Sequence, residues 1–137
     1  MAIAAVTRLR LRKLRFVPLL MVAAFRSRRQ AQASDGCLAA DMRMQGARVF
    51  WTRTLWRDGK AMRDFMGGGA HRAVMPRLQH WCDEASLADW EQESLPEWSE
   101  AEARLRDRGR LSRVRHPSPA QARGETVPGG IASAGGR

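Results

Sequence analysis

His71 is the side chain best placed for chemistry in this sequence. It follows Gly67-Gly68-Gly69 and opens a helical segment, and the positive end of a helix disfavours an imidazolium there. A neutral imidazole can accept a proton or ligate haem iron. The same position also suits an ordinary helix-start residue bonded to backbone or solvent. His80 beside Trp81, and His116 ahead of the last segment, read as surface residues.

Five tryptophans stand at 51, 56, 81, 90 and 98. Trp51 and Trp56 share one strand-like run at an odd spacing, so they face opposite sides of a sheet. Trp90 is placed with whichever of them faces away from the helices, where it can stack on a flat ligand or fill an interface between copies. Arg8, Arg10 and Arg12 alternate along another strand. With Arg53 they sketch a basic stripe that either attracts carboxylates or phosphates or is simply solvated. Arg10, Arg53 and Trp90 are therefore candidate substrate-binding residues, and Trp56 and His71 candidate catalytic ones, with His71 also the candidate cofactor ligand.

Other chemistries lack their signatures. The chain has no GxSxG, no HExxH and no phosphate loop, because the glycine triplet is not followed by Lys-Ser/Thr. Cys37 and Cys82 have no metal-binding spacing, so no metal site is expected and reduced cytosolic thiols are the default.

The elements that must hold these residues follow from periodicity. Val6 to Lys13 alternates as a strand, with Thr7, Leu9 and Leu11 on one face and the arginines on the other. Val17 to Gln32 reads as a helix with Pro18 in its first turn and Leu19, Leu20, Val22, Ala23 and Phe25 as its apolar face. Cys37–Met44 and Val49–Trp56 form a hairpin, the second strand dense in β-formers. Asp58 caps a helix that carries Ala61, Met62, Phe65 and Met66 and breaks at the glycines. Helicity resumes at Ala70, with a kink or a late start near Met75 expected from Pro76. Ala85–Gln92 is a fourth strand. Pro96–Arg108 is a last helix with Trp98, Ala101 and Leu105 inward, followed by a short extended stretch at Leu111–Val114. The order is βαββαβ plus a C-terminal helix, which is a ferredoxin-like α+β fold. Its sheet has one face left bare, and a homodimer, as in a dimeric α/β barrel, is the expected cover.

The 137 residues suit one domain, over residues 1–116. Residues 117–137, rich in Pro, Gly and Ala, are expected to be a disordered tail. The formal charge is +10, and nearly all the basic residues are Arg, since only Lys13 and Lys60 are lysines. Such a balance fits anionic partners, or merely a GC-rich genome. Arg8–Arg15, the apolar run Phe16–Phe25 and Ala31-Gln32-Ala33 outline a signal peptide. Pro18 within the run and the arginines directly after it argue against one. The run is also too short to span a bilayer, so a cytoplasmic protein without a transmembrane segment is expected.

The stretch Trp51–Gln92 resembles the spheroidene monooxygenase-like family, within the antibiotic-biosynthesis monooxygenase superfamily of dimeric α/β barrels. The resemblance rests on Thr54-Leu55-Trp56, the Ala61–Met66 run, Gly69–Arg72, Met75–Leu78, Trp81–Ser86 and the strand ending in Trp90. It extends to Val6–Leu20, Leu95–Ala101 and Gly109–Pro119, and so covers most of residues 5–119. It implies a homodimer with a pocket between sheet and helices. Some relatives oxidise hydrophobic or aromatic substrates, and some bind or degrade haem. Haem-degrading relatives combine an Asn, a Trp and a His. Trp56 and His71 match the last two, but the chain contains no Asn. Gly67 and Gly68 also depart from the more polar residues of the family and are expected to loosen the helix start at His71.

Three functions follow as expectations. The first is a monooxygenase-like enzyme acting on a hydrophobic or aromatic molecule, with haem or without a cofactor. The second is a non-catalytic dimeric ligand-binding protein. The third is an RNA-binding module stacking bases on sheet aromatics, the weakest because Val49–Trp56 lacks that module's pattern.

Overall fold

A computed structural model describes residues 1–129. Strand β1 (Ile3–Leu11) leads through a short 3₁₀ turn into helix α1 (Val17–Ala33). Strands β2 (Cys37–Gln45) and β3 (Val49–Trp56) follow as a hairpin. Helices α2 (Gly59–Met66) and α3 (Gly69–Trp81) precede β4 (Cys82–Glu91), α4 (Trp98–Arg108), the two-residue β5 (Arg110–Leu111) and a single turn, α5 (Pro119–Ala122). The antiparallel sheet runs β2-β3-β1-β4-β5. This is the ferredoxin-like arrangement expected from the sequence, with one short strand added at the edge.

Two of the differences from the expected elements have local reasons. Helix α3 begins at Gly69 and runs unbroken through Pro76, whose exposed position lets the missing N–H bond fall on the solvent side. Helix α1 turns Leu20, Ala24 and Ala31 inward and leaves Leu19, Val22 and Phe25 exposed. The bulkier apolar residues of the helix thus lie outside its inward stripe.

Alternation along β1 separates two cores. Ala4 and Val6 join Trp51, Leu55, Ala88 and Trp90 beneath Ala101 and Leu105 of α4. Leu9 and Leu11 join Phe50, Leu20, Phe16 and Trp81 on the side of α1 and α3. The face expected to be bare is therefore roofed by the chain's own α4.

The remaining cover comes from residues expected to lie in a disordered tail. Ser118 donates to the Glu84 carboxylate at 2.7 Å. The Gln121 side chain accepts from the Ala85 amide at 3.2 Å and donates to the Ser112 carbonyl at 2.9 Å. The Ser86 hydroxyl donates to the Thr126 carbonyl at 2.8 Å. Composition suggested disorder because few large apolar side chains are present. The segment from Ser118 to Thr126 is instead tied down by polar groups that pair with otherwise unmatched buried atoms. Residues 130–137 of that expected tail lie outside the described residues.

Glu84 is the centre of this cover. Only 2% exposed, it accepts from Arg8 at 2.9 Å and Arg10 at 3.0 Å as well as from Ser118. Burial pushes its carboxyl up, but the Ser118 and Arg8 hydrogen bonds and the Arg8 charge outweigh that and hold it below its ordinary value. The ionised form is thus favoured in the folded state. Its stabilisation is present above the ordinary carboxylate pKa and is lost as pH falls through the folded value. Glu84→Ala is expected to lower stability by about 3–5 kcal/mol in urea unfolding, since Arg8 is left buried without its partner. A loss below about 1 kcal/mol would mean that the cluster does not anchor the cover.

Candidate active site

The other face of the sheet carries a cavity of about 240 Å³ between the strands and helices α1, α2 and α3. Its floor is built from alternate strand residues, Ala5, Thr7 and Leu9 of β1 with Phe50, Thr52, Thr54 and Trp56 of β3. The register sets Thr7 opposite Thr52, and Ala5 opposite Thr54. Small residues at Ala5, Ala23, Ala24 and Ala40 leave the volume open, and Phe65, His71, Val74 and Leu78 close it above.

One wall is a column of three rings. Trp56 is 1% exposed and stacks on Phe65 with centroids 5.0 Å apart. Phe65 in turn lies 4.8 Å from the His71 ring. The Trp56 indole donates to the Thr54 hydroxyl at 2.9 Å, which fixes the ring plane. Trp56 and His71, the two residues matched through the family resemblance, both line this cavity. Phe65 between them was read only as a core position. Its spacing to Met62 marks a helix face, and nothing in the spacing reveals what that face covers.

The glycines turn out to position His71 rather than loosen it. Gly67 ends α2, Gly68 caps α3, and Gly69 has φ +56°, a conformation that glycine adopts without strain. A Cβ at Gly69 would sit 2.9 Å from the Gln30 side chain. Gln30 of α1 needs that space. Its amide donates to the Phe65 and Gly68 carbonyls at 3.1 and 2.9 Å, and its oxygen accepts from the His71 amide at 2.9 Å. One side chain therefore ties the helix break to α1 and fixes the backbone of His71.

The His71 ring has its Nδ1 3.1 Å from the Met66 carbonyl. A carbonyl can only accept, so Nδ1 carries the proton and Nε2 keeps its lone pair. Burial lowers the ring's pKa, and the Met66 hydrogen bond opposes that only in part. The result is a neutral base beside an apolar cavity.

The candidate substrate-binding residues lie on the opposite face. Arg10 is held by Glu84 at 3.0 Å and approaches Asp83 at 3.8 Å. Arg53 pairs with Asp41 at 2.7 Å, donates to the Pro96 carbonyl at 2.8 Å and lies 4.4 Å from the Trp98 ring. Trp90 is buried in the core under α4, its indole donating to Gln92 at 2.8 Å. The structure does not bring these three to the cavity, because even-numbered β1 residues and their cross-strand partners point away from it. Trp51 and Trp90 are roofed, so neither offers the exposed platform that base stacking on the sheet requires. His80 and His116 are exposed, as expected.

Arg28 was missed altogether. It lines the cavity from α1, four residues after Ala24 and three before Ala31, on the inward stripe. A helix spacing count that admitted polar residues would have found it.

The cavity volume is small for haem. An apolar cavity of about 150 Å³ takes one benzene, so about 240 Å³ suits two fused rings rather than a tetrapyrrole. Among the described residues no group of three His, Cys, Asp or Glu side chains is placed to hold a metal. Nor is any helix among them long and apolar enough to cross a membrane. The cysteines are free. Cys37 is half-buried, and burial pushes the Cys82 thiol up to about 12.

Residues 22–112 match a family described as a domain of unknown function (DUF3291). No curated protein matches the chain. The fold recurs in solved structures of low sequence identity. A conserved protein from Methanosarcina mazei Go1 has a TM-score of 0.62 at 14% identity, over 68% of this chain and 94% of that one. SnoaB, a cofactor-independent oxygenase from Streptomyces nogalater, has a TM-score of 0.57 at 13% identity, over 70% and 98%. A protein of unknown function from Bacteroides thetaiotaomicron, described as a "Possible Oxidoreductase", has a TM-score of 0.58 at 17% identity, over 66% and 97%.

The half-buried ring gives a direct test. In ¹H–¹⁵N spectra His71 is expected as the neutral Nδ1–H tautomer at pH 7, titrating below the ordinary value of about 6.5. The stability contributed by the neutral ring is present above that value and is lost as pH falls through the folded pKa. Gln30→Ala is expected to move the midpoint back towards the ordinary value. A wild-type midpoint at or above it would contradict the half-buried, carbonyl-bonded geometry.

Proposed function

We propose that this chain, which belongs to the DUF3291 family, binds a small aromatic or otherwise hydrophobic molecule in the cavity and oxidises it with dioxygen. The observation behind this reading is the Trp56–Phe65–His71 column, which sets a neutral base against an apolar, ring-lined volume. The narrower spheroidene monooxygenase-like kinship and a homodimeric state are part of the same reading. Since α4 and the Ser118–Thr126 segment cover much of the far face of the sheet, a homodimer would have to be built largely from other surface.

The roles follow from the geometry. Phe65, backed by the buried Trp56, offers an aromatic ring a stacking surface. His71 Nε2 accepts a proton from an acidic O–H or C–H of the substrate, and the resulting anion is electron-rich enough to react with dioxygen. The balance closes without an external reductant when a CH or CH₂ site becomes a carbonyl. Two hydrogens leave the substrate, one oxygen atom enters it, and the other departs as water. The apolar walls limit side reactions with solvent. The cofactor-independent oxygenase on the same fold supports this reading as a precedent for the fold, not as an assignment.

Two measurements separate this from a non-catalytic binding protein. With 1-naphthol as probe, oxygen uptake and 1,4-naphthoquinone formation are expected from the wild type. His71→Ala is expected to lose about 10²-fold or more of the rate while still binding the probe in calorimetry. Trp56→Ala is expected to weaken binding itself. Binding without oxygen uptake across a panel of naphthols and naphthalenediols would favour the non-catalytic alternative.

Haemin titration is the second. No stoichiometric Soret shift dependent on His71 is expected, given the cavity volume. A shifted band in the wild type that His71→Ala abolishes would restore haem as the cofactor.

A further inference from the structure

Three features of the molecule are not used by the proposed reaction. One is the exposed stripe Leu19, Val22 and Phe25 on α1. Another is the Glu84 cluster under the C-terminal cover. The third is Arg28, and it is the one that points to a ligand.

Arg28 lies on the inward stripe of α1 between Ala24 and Ala31, both buried, and lines the cavity. Its Nε is buried with no hydrogen-bond partner. The guanidinium forms none of the ion pairs found among the described residues. The two carboxylates near the cavity are already taken. Asp41 pairs with Arg53 at 2.7 Å and Asp89 with Arg110 at 2.9 Å. Arg43, the other arginine with an orphaned Nε, lies over the rings of Trp51 and Trp98 at 5.8 and 4.6 Å. Among the described residues no such ring serves Arg28.

Asp41, already paired with Arg53, is the carboxylate that feels the Arg28 charge. Arg28 therefore has no counter-ion of its own among the described residues, and its buried Nε has no acceptor there, which is unfavourable in the free protein. Five fixed donors suit a planar anionic oxygen pair. The rest of the lining is mostly apolar, its polar groups being threonine and serine hydroxyls, His71, Gln79, Arg113 and the two carboxylates already paired. Together these features describe a ligand with an aromatic body and an acidic oxygen group at one end.

We infer that Arg28 is the anion-recognition residue of the cavity, and that the ligand is a two-ring-sized aromatic molecule carrying a carboxylate or a comparably acidic oxygen. The inference rests on the cavity being a ligand site, and it names the class of ligand. Arg28 binds the anionic end, while the Trp56–Phe65 wall takes the rings. An acidic oxygen held this way also lowers the energy of an anionic substrate, which assists the proton removal assigned to His71.

The test compares 2-naphthoate with its neutral analogue 2-naphthamide by calorimetry, on wild type, Arg28→Met and Arg28→Lys. The wild type is expected to prefer the carboxylate by about tenfold or more, the range of a hydrogen bond to a charged group. Arg28→Met is expected to erase that preference and leave naphthamide binding within about twofold. Arg28→Lys is expected to recover part of it. Because Arg28 lacks a protein partner, Arg28→Met is also expected to keep or raise the thermal midpoint. A marked fall would show a structural role and overturn the proposal. Equal binding of both probes to wild type, or a preference that survives in Arg28→Met, would overturn anion recognition while leaving the cavity as a ligand site. Failure of both probes to bind wild type would count against the cavity reading itself, and this inference would fall with it.

Discussion

Strand β1 pairs with β3 on one side and β4 on the other, and its side chains enter two different cores in alternation. Being buried on both faces, it forces every neighbouring strand to serve two environments. On one face the cross-strand partners are Trp51, Leu55, Ala88 and Trp90, packed under α4. On the other they are Phe50, Thr52, Thr54 and Ala85, which floor the cavity. The two-residue period of a strand therefore sorts the chain's aromatic and charged residues into structural and functional sets before any chemistry is considered.

That sorting explains what was legible in the sequence. The alternation of Thr7, Leu9 and Leu11 against the arginines is visible as text, as is the odd spacing of Trp51 and Trp56. The element order follows from such local patterns, and so does the fold. The Asp58 cap was equally legible, and its side chain accepts from the Ala61 amide at 2.9 Å. The pairing of Trp56 with His71 came from resemblance to a family rather than from spacing, since the two residues lie on different elements.

What was not legible depends on contacts distant in sequence. Arg10, Arg53 and Trp90 were picked by residue type. Their partners Glu84, Asp41 and Arg104, which take them out of play as free ligand-binding groups, sit on other elements. Gln30 was not singled out in the sequence, yet it bridges α1 to the glycine break. The segment after Pro117 was judged by apolar content, whereas Ser118 and Gln121 contribute hydrogen bonds to buried groups. Each case turns on polar complementarity, which a one-dimensional reading of hydrophobicity does not detect.

Polar complementarity also distinguishes the two faces. On the α4 side Arg8, Arg10 and Arg53 all meet carboxylates, and Arg43, whose Nε has no acceptor among the described residues, is covered by the rings of Trp51 and Trp98. On the cavity side, His71 Nε2 and the Arg28 guanidinium have no hydrogen-bond partner among the described residues, although both sit on helices and the His71 position is fixed by three hydrogen bonds around it. A folding chain gains nothing from holding an acceptor and a donor unpaired around an apolar volume. The arrangement makes physical sense if a third component, with a proton to give and an anionic oxygen to bind, completes it.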